Sequence, residues 1–234
     1  MKNKTILILL AFTLFVVQKN QAQDEDLNDW ESWNSIGIKY KLNKKWAFEL
    51  EQHLRLKENF SEIKKYITQV GVQYNITKKF KVGAAARYIS KNDNTGNIQG
   101  YEDYFRFHLE ASYKHKVDDF TFGYRLRYQN KNELGVSPSE GDYANQHLRF
   151  KASVGYNIKN WKLDPEVSAE IFNHFEEGEE NGFDRYRITV GSEYNMKAYG
   201  KLKFYYRFKK QLNETYPETK NIIGLKYTYT IKNK

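Results

Sequence analysis

The residues with the clearest chemical potential are arginines that recur in alternating segments. In Phe120 to Lys131, FTFGYRLRYQNK, Arg125 and Arg127 lie between aromatic and aliphatic residues spaced two apart. In an extended strand this spacing puts the apolar residues on one face and both arginines on the other. A guanidinium group pairs bidentately with carboxylate or phosphate. The pattern therefore predicts an ion-pair network or an anion-binding surface on the polar face.

The same alternation assigns other charged residues to this inward face. It predicts an inward network made of Glu110, Arg125, Arg127, Arg149, Glu170, Arg185, Arg187 and Arg207. The alternation also predicts an inward orientation for a second set of charged residues, Arg87, Arg106, Glu49, Glu51, Glu102, Asp164, Glu166 and Glu193. Charges in a narrow, partly dry interior must be paired to be stable. Two interpretations stay open: a structural network that plugs the interior, or an interior that selects or binds a small anionic solute.

Catalytic chemistry has weaker support. The candidate bases are His53, His108, His115, His147 and His174. No Gly-x-Ser-x-Gly motif is present, and no serine–histidine pair falls on the apolar face, where a lipid-modifying barrel enzyme would need it. His174, Asp184 and the acidic run 176–180 come closest to the site of a rim protease. We predict no catalytic residues, and a lipid-modifying or proteolytic barrel enzyme stays the alternative.

No cofactor or metal site is predicted. The chain has no cysteine, which excludes disulfides, thiolate metal ligands and a lipidated cysteine anchor. It contains no phosphate-binding loop, zinc-ligand spacing or calcium-binding loop. The formal net charge is +9, but the lysines concentrate in turns and connections, so we predict no nucleic-acid partner.

Eleven alternating runs follow Asp29 and would position these charges. Each holds about ten to thirteen residues, and no convincing helical period interrupts them. Short connections, such as Asn43 to Lys45 and Thr77 to Lys79, alternate with longer polar ones, such as Lys57 to Glu62 and Asn130 to Asp142. A soluble β-sandwich also alternates, but its strands average about five or six residues. The pattern is typical of an all-β, antiparallel up-and-down transmembrane β-barrel with all short turns at one end.

The alternation also sorts the aromatic residues. Those flanking the predicted short turns are Trp46, Tyr74, Phe80, Tyr113, Phe120, Tyr156 and Trp161. Membrane barrels carry belts of aromatic residues where the hydrocarbon meets water. The sequence therefore predicts an aromatic belt at the periplasmic end, and lipid contact for outward residues such as Tyr124 and Leu126.

The predicted strand number follows from a rule rather than from the count. Single-chain bacterial barrels have even strand numbers and both chain ends in the periplasm. Eleven runs break that rule. Either a further strand lies between Gln23 and Trp33, or one run has been split or missed; we therefore predict twelve strands, with ten as the alternative.

The first residues predict export. A basic start is followed by an apolar run, Ile6 to Val17, that is too short to span a bilayer as a helix. We assign residues 1–22 to a cleaved signal peptide and 23–234 to the barrel. The predicted location is the outer membrane of a Gram-negative bacterium. The predicted partners are outer-membrane lipid and the barrel-assembly machinery, because Gly224, Tyr227 and Tyr229 have the spacing of an assembly signal.

Several short segments together resemble a known family. They are Trp33, Leu42 to Trp46, Tyr124 to Tyr128, Glu170 to Asn173 and Phe183 to Arg187. With them the chain resembles the family called domain of unknown function 2490, predicted outer-membrane barrels common in Bacteroidota. The resemblance spans most of the chain after residue 22. It implies a barrel fold and an outer-membrane location, and it implies no activity.

Overall fold

The computed structural model describes residues 28–94, 99–159, 161–178 and 181–233. The predicted signal peptide, residues 1–22, lies outside these ranges. The strands are β1 Asn28–Lys41, β2 Trp46–Lys57, β3 Glu62–Asn75, β4 Phe80–Asp93, β5 Gly100–Val117, β6 Phe120–Glu133, β7 Asn145–Tyr156, β8 Leu163–Phe175, β9 Gly182–Asn195, β10 Lys201–Gln211 and β11 Thr219–Lys232. Within the described ranges, no helix is both long and apolar enough to cross a membrane.

The strands form one closed barrel in chain order, which confirms the predicted all-β barrel. Each strand pairs antiparallel with its neighbour in the chain, and β1 closes the barrel against β11 in parallel. In an up-and-down barrel with an odd number of strands the first and last strands run the same way, so the closing pair must be parallel. The closing register runs from Asn28 opposite Thr219 to Lys41 opposite Lys232.

The predicted strand numbers, twelve and ten, are wrong. Within the described residues the barrel has eleven strands, as many as the alternating runs. The error came from assuming that the chain must close antiparallel. Residues 28–33, the described part of the region assigned to an extra strand, are the start of β1 itself, and residues 23–27 lie outside the described ranges. Because the closing pair is parallel, β1 begins at the rim of the barrel that carries the longer connections. β11 finishes at the other rim, which carries the short turns.

Alternation decides which way each side chain points. On β6, Tyr124 and Leu126 point outward and are 40% and 48% exposed, whereas Arg125 and Arg127 point into the lumen and bond to carboxylates there. A closed sheet leaves no edge, so its backbone donors and acceptors pair along the ladders. The result is a surface of apolar side chains around a charged interior.

The outward aromatic residues near the short turns meet across neighbouring strands. The rings of Trp46 and Tyr74 lie 4.7 Å apart, and those of Phe120 and Tyr156 lie 4.8 Å apart. Phe80 sits opposite Tyr113 in register. These paired rings form a belt at this end of the barrel, at the level that the sequence predicts.

One connection is shorter than predicted. The segment Lys57 to Glu62 was expected to be a longer loop, but β2 ends at Lys57 and β3 begins at Glu62. Glu58, Asn59 and Phe60 all have positive φ, and the Ser61 amide donates to the Glu58 carbonyl at 3.1 Å. Successive left-handed residues reverse the chain in a small space, and only Asn59 among them favours that conformation.

A different connection carries its own hydrogen bonds. In the β6–β7 connection, the backbone amide and the hydroxyl of Ser137 donate to Glu140 at 2.9 and 2.6 Å. These bonds favour the ionised carboxylate and lower the pKa of Glu140. The turn is thus fixed by its own side chains.

Inward apolar side chains fill part of the lumen. Ile67, Ile89 and Tyr104 form a buried cluster on β3, β4 and β5. Ile222 on β11 and Phe172 on β8 are also buried. Because these side chains occupy the interior, the charged residues between them lie in a partly dry environment.

Candidate functional site

The charged lumen contains one dense group of ion pairs. Register places Glu110 opposite Arg127 and Arg127 opposite Arg149, while Glu170 lies opposite Arg187. We call the Glu170 network the group Glu110, Arg125, Arg127, Arg149, Glu170 and Arg187. Its members come from five consecutive strands, β5 to β9.

Glu170 is the centre of this network. Its Oε1 accepts hydrogen bonds from Arg125 Nη2 at 2.9 Å and from Arg149 Nε at 3.0 Å. Its Oε2 accepts a bond from Arg187. The Glu170 side chain is only 2% exposed. Such a buried carboxylate is stable only because three guanidinium groups surround it.

A second carboxylate extends the network. Glu110 accepts a hydrogen bond from Arg127 Nε at 3.0 Å, and Arg125 Nη1 lies 3.9 Å from it. Arg149 also donates to Gln129 at 2.8 Å and lies over the ring of Phe172 at 4.3 Å. Four arginines therefore share two carboxylates, while Arg125 Nε is buried without a hydrogen-bond partner.

The other two residues of the predicted network lie elsewhere. Arg185 is close to the end with the longer connections and pairs with the adjacent Asp184. Arg207 on β10 donates to the hydroxyl of Thr189 at 3.1 Å and lies 4.5 Å from the ring of Tyr205. The structure thus brings together six of the eight predicted residues and places Arg185 and Arg207 apart.

The adjoining wall of the lumen carries four cations without ion pairs. What we call the four-strand cation cluster consists of two pairs, Arg55 on β2 with Lys65 on β3 and Arg87 on β4 with Arg106 on β5, and the first pair is offset from the second by four residues toward the longer connections. Arg55 lies opposite Lys65, and Arg87 lies opposite Arg106. Like charges directly opposite each other in a sheet are destabilising. Among the described residues none of the four makes an ion pair, and the Nε atoms of Arg55 and Arg106 are buried without a hydrogen-bond partner.

A third charged group lies at the seam between β1 and β11. Glu31 is fully buried and bonds to Lys64 at 2.6 Å and to the indole nitrogen of Trp33 at 2.5 Å. The Tyr205 hydroxyl donates to the Trp33 carbonyl at 3.2 Å. A Cβ on Gly224 would lie 2.0 Å from the Tyr205 ring, so only glycine fits beneath it.

Histidines and acids meet at the end with the longer connections. His147 lies 3.2 Å from Asp184, His174 lies 2.9 Å from Glu176, and the two imidazole rings are 4.7 Å apart. Sequence reasoning grouped His174 with Asp184 and did not place His147 with them. Across the part of the chain that the structure describes, no three His, Cys, Asp or Glu side chains are arranged to hold a metal ion.

The seam group escaped sequence reasoning. The outward positions Ser32 and Asn34 are polar, so the apolar alternation that marks a strand is absent there. The inward Glu31 and Trp33 therefore seemed to precede the first strand. One signal was nevertheless present. Trp30 and Glu31 already alternate as outward and inward positions, and this alternation has the same phase as the outward Ile36.

Comparison with known proteins places this barrel in a family. No protein with a curated description matches the chain, and no solved structure does. The model of a family described as protein of unknown function (DUF2490) matches residues 30–220. The matched region runs from β1 into β11 and includes the Glu170 network and the four-strand cation cluster. The chain therefore belongs to the DUF2490 family of proteins of unknown function.

Proposed function

We propose that this protein is an outer-membrane β-barrel that acts as a structural or ligand-binding element with a closed lumen. The observation that carries the proposal is the separation of its two faces. Large apolar side chains cover the outside of nearly every strand, while charged side chains are turned inward. Water would not stabilise such an outer surface, whereas hydrocarbon would. The aromatic belt at the short-turn end supports the same orientation.

The Glu170 network supports a closed lumen rather than a wide diffusion pore. Glu170 and Arg149 are 4% and 5% exposed, although both are charged. In a water-filled channel of large bore, such side chains would be solvated. A passage here is therefore narrow, and it favours small anions because arginines outnumber carboxylates in the network.

Export, assembly and location form part of the same proposal. Residues 1–22 would direct export, and the barrel-assembly machinery would insert the chain into the outer membrane of a Gram-negative bacterium. Lipid would then contact the outward residues, and the short turns would face the periplasm.

One arrangement favours the alternative, a lipid-modifying or proteolytic barrel enzyme. His147 and Asp184 form an acid–base pair 3.2 Å apart, as catalysis at the rim would require. However, His147 is only 4% exposed. Within the described residues no serine, threonine or tyrosine hydroxyl bonds to it. The pair therefore supports this alternative less well than the faces of the barrel support a non-enzymatic role.

Cell fractionation and heat modifiability test the location. We expect the protein in the outer-membrane fraction, and we expect it to migrate differently on a gel with and without boiling. Recovery as a soluble protein that needs no detergent would overturn the proposal.

Planar-bilayer recording tests the closed lumen. The wild type should conduct weakly, and Glu170→Ala should increase conductance because it loosens the network. A large, stable conductance of the wild type would show that the lumen is open.

A further inference from the structure

We infer that the four-strand cation cluster, Arg55, Lys65, Arg87 and Arg106, is a binding site for a small oxyanion of the phosphate class. This inference rests on the proposed ligand-binding role and names its site and its chemistry. Each of four consecutive strands, β2 to β5, supplies one cation. The alternation of the sheet points all four side chains into the lumen.

The surroundings of Arg106 show the excess of positive charge. Register places Arg106 directly between Arg87 on β4 and Lys131 on β6, both of them cations. Register likewise places Lys65 directly between Arg55 on β2 and Lys91 on β4, again both cations. A partly dry interior strengthens this repulsion. The arrangement is complete only when a negative group joins it.

The nearest carboxylates are already engaged. Glu31 on β1 is bonded to Lys64 and Trp33. Glu51 acts on Arg87, but it pairs with Lys226 and lies 3.2 Å from His53. Neither forms an ion pair with a member of the cluster. The charge of the cluster is therefore not neutralised by the chain itself.

The free donors suit an oxyanion. The buried Nε atoms of Arg55 and Arg106 have no hydrogen-bond partner, while Arg87 Nε donates to the amide oxygen of Gln69. Guanidinium groups pair bidentately with phosphate oxygens, and Lys65 adds a point charge. A polyvalent anion can accept bonds from several strands at once, which a monovalent halide does less well.

A small cavity lies beside the cluster. A lumen cavity of about 60 Å³ is lined by Gln69, His108 and Arg127 among others. It lies two residues from Arg87 and Arg106, toward the short turns. Because Glu49 and Glu110 also line it, we place the anion with the arginines and assign the cavity to water. At the volume per molecule of liquid water, the cavity has room for about two waters.

Trp33 provides a built-in reporter. The Arg55 guanidinium lies 3.6 Å from the centre of its ring. An anion that draws Arg55 toward itself changes this contact and so the fluorescence of Trp33. Replacing Trp30, Trp46 and Trp161 by phenylalanine leaves Trp33 as the single tryptophan of the chain.

The test is a titration of this single-tryptophan barrel in detergent with inorganic phosphate at constant ionic strength. We expect saturable binding that Arg87→Gln and Arg106→Gln each weaken by about tenfold or more. The matched control is Arg185→Gln, which removes one lumen charge outside the cluster and should change affinity less than about twofold. Lack of saturation, or equal weakening by the control, would overturn the site.

A second measurement covers variants that fail to fold. In the wild type, phosphate should raise the unfolding temperature more than chloride of equal ionic strength, because ligand binding stabilises the folded state. An equal effect of the two salts would contradict the inference. Cell fractionation tests the proposed location separately from the binding site. If the barrel bound phosphate but was found outside the outer membrane, only the proposed location would be rejected.

Discussion

The two walls of the lumen use the same residue type in opposite ways. On β5 to β9, Arg125, Arg149 and Arg187 converge on Glu170, which is almost fully buried. On β2 to β5, Arg87 faces Arg106 with no carboxylate between them. The first wall is stabilised by attraction within the chain, and the second is strained by repulsion.

The difference teaches that an inward arginine has no fixed role. Its effect on stability depends on whether a carboxylate lies within reach in the lumen, since Arg127 also lies opposite Arg149 but each of them bonds to a glutamate. Where one does, truncating the carboxylate should be costly. Where none does, removing an arginine should help the empty barrel and harm only ligand binding. The following predictions test this contrast.

The largest effect should come from Glu170→Ala. The change leaves the guanidinium groups of Arg125, Arg149 and Arg187 without their shared carboxylate, at a cost of about 3–5 kcal/mol. Urea unfolding in lipid vesicles would measure it. The control is Glu193→Ala, whose pair with Lys201 is about half exposed, and it should cost roughly 0–1 kcal/mol. Equal effects would mean that burial does not distinguish the first wall.

Leu126→Arg tests whether β6 keeps its arginines inside. It would put a charge on the outward face, at a cost of about 2–4 kcal/mol near the bilayer midplane. Leu126→Val is the control and should assemble normally, as judged by heat modifiability. Normal assembly of Leu126→Arg would mean that the two faces are exchanged, since a slip of one residue reverses them.

A double-mutant cycle tests whether Arg149 and Glu170 act as a unit. The double change to alanine should cost less than the sum of the single changes, with a coupling of about 0.5–3 kcal/mol. Unfolding free energies of the four proteins give this number. Additive effects would indicate a wet, open lumen in which the pair contributes little.

The smallest predicted effect has the opposite sign. Arg106→Gln removes the repulsion with Arg87 and should stabilise the barrel by about 0.2–1 kcal/mol in buffer free of polyvalent anions. Arg149→Gln, the matched change on the other wall, should destabilise it. A loss of stability in both variants would remove the contrast between the walls.

The sequence was sufficient for the fold and for the face of each side chain, because alternation with period two fixes both. It was not sufficient for the strand number. That depends on how the barrel closes, and the polar outward residues Ser32 and Asn34 hid the first part of β1. The residue pattern of a single strand does not reveal whether the barrel closes with a parallel or an antiparallel pair.

Membership of the Glu170 network was only partly predictable. Arg185 and Arg187 share the inward face of β9, but two residues of strand separate them by about 6.6 Å. Because of this separation, Arg185 pairs with Asp184 and is out of reach of Glu170. Arg207 lies opposite Thr189, one inward position beyond Arg187 in the other direction. The position of a side chain along the barrel depends on the register between strands. The alternation of apolar and polar residues carries no information about that register.

Parallel closure also has a consequence for the order of assembly. Ten of the eleven strand pairs join neighbours in the chain, whereas β1 must find β11 across nearly the whole described sequence. Contacts between distant parts of a chain form late, because the entropy of closing the loop is lost before they form. We expect this junction, with Trp33 and Tyr205, to form last and to exchange its amide hydrogens fastest. Until it forms, β1 and β11 are two unpaired edges that a partner must shield.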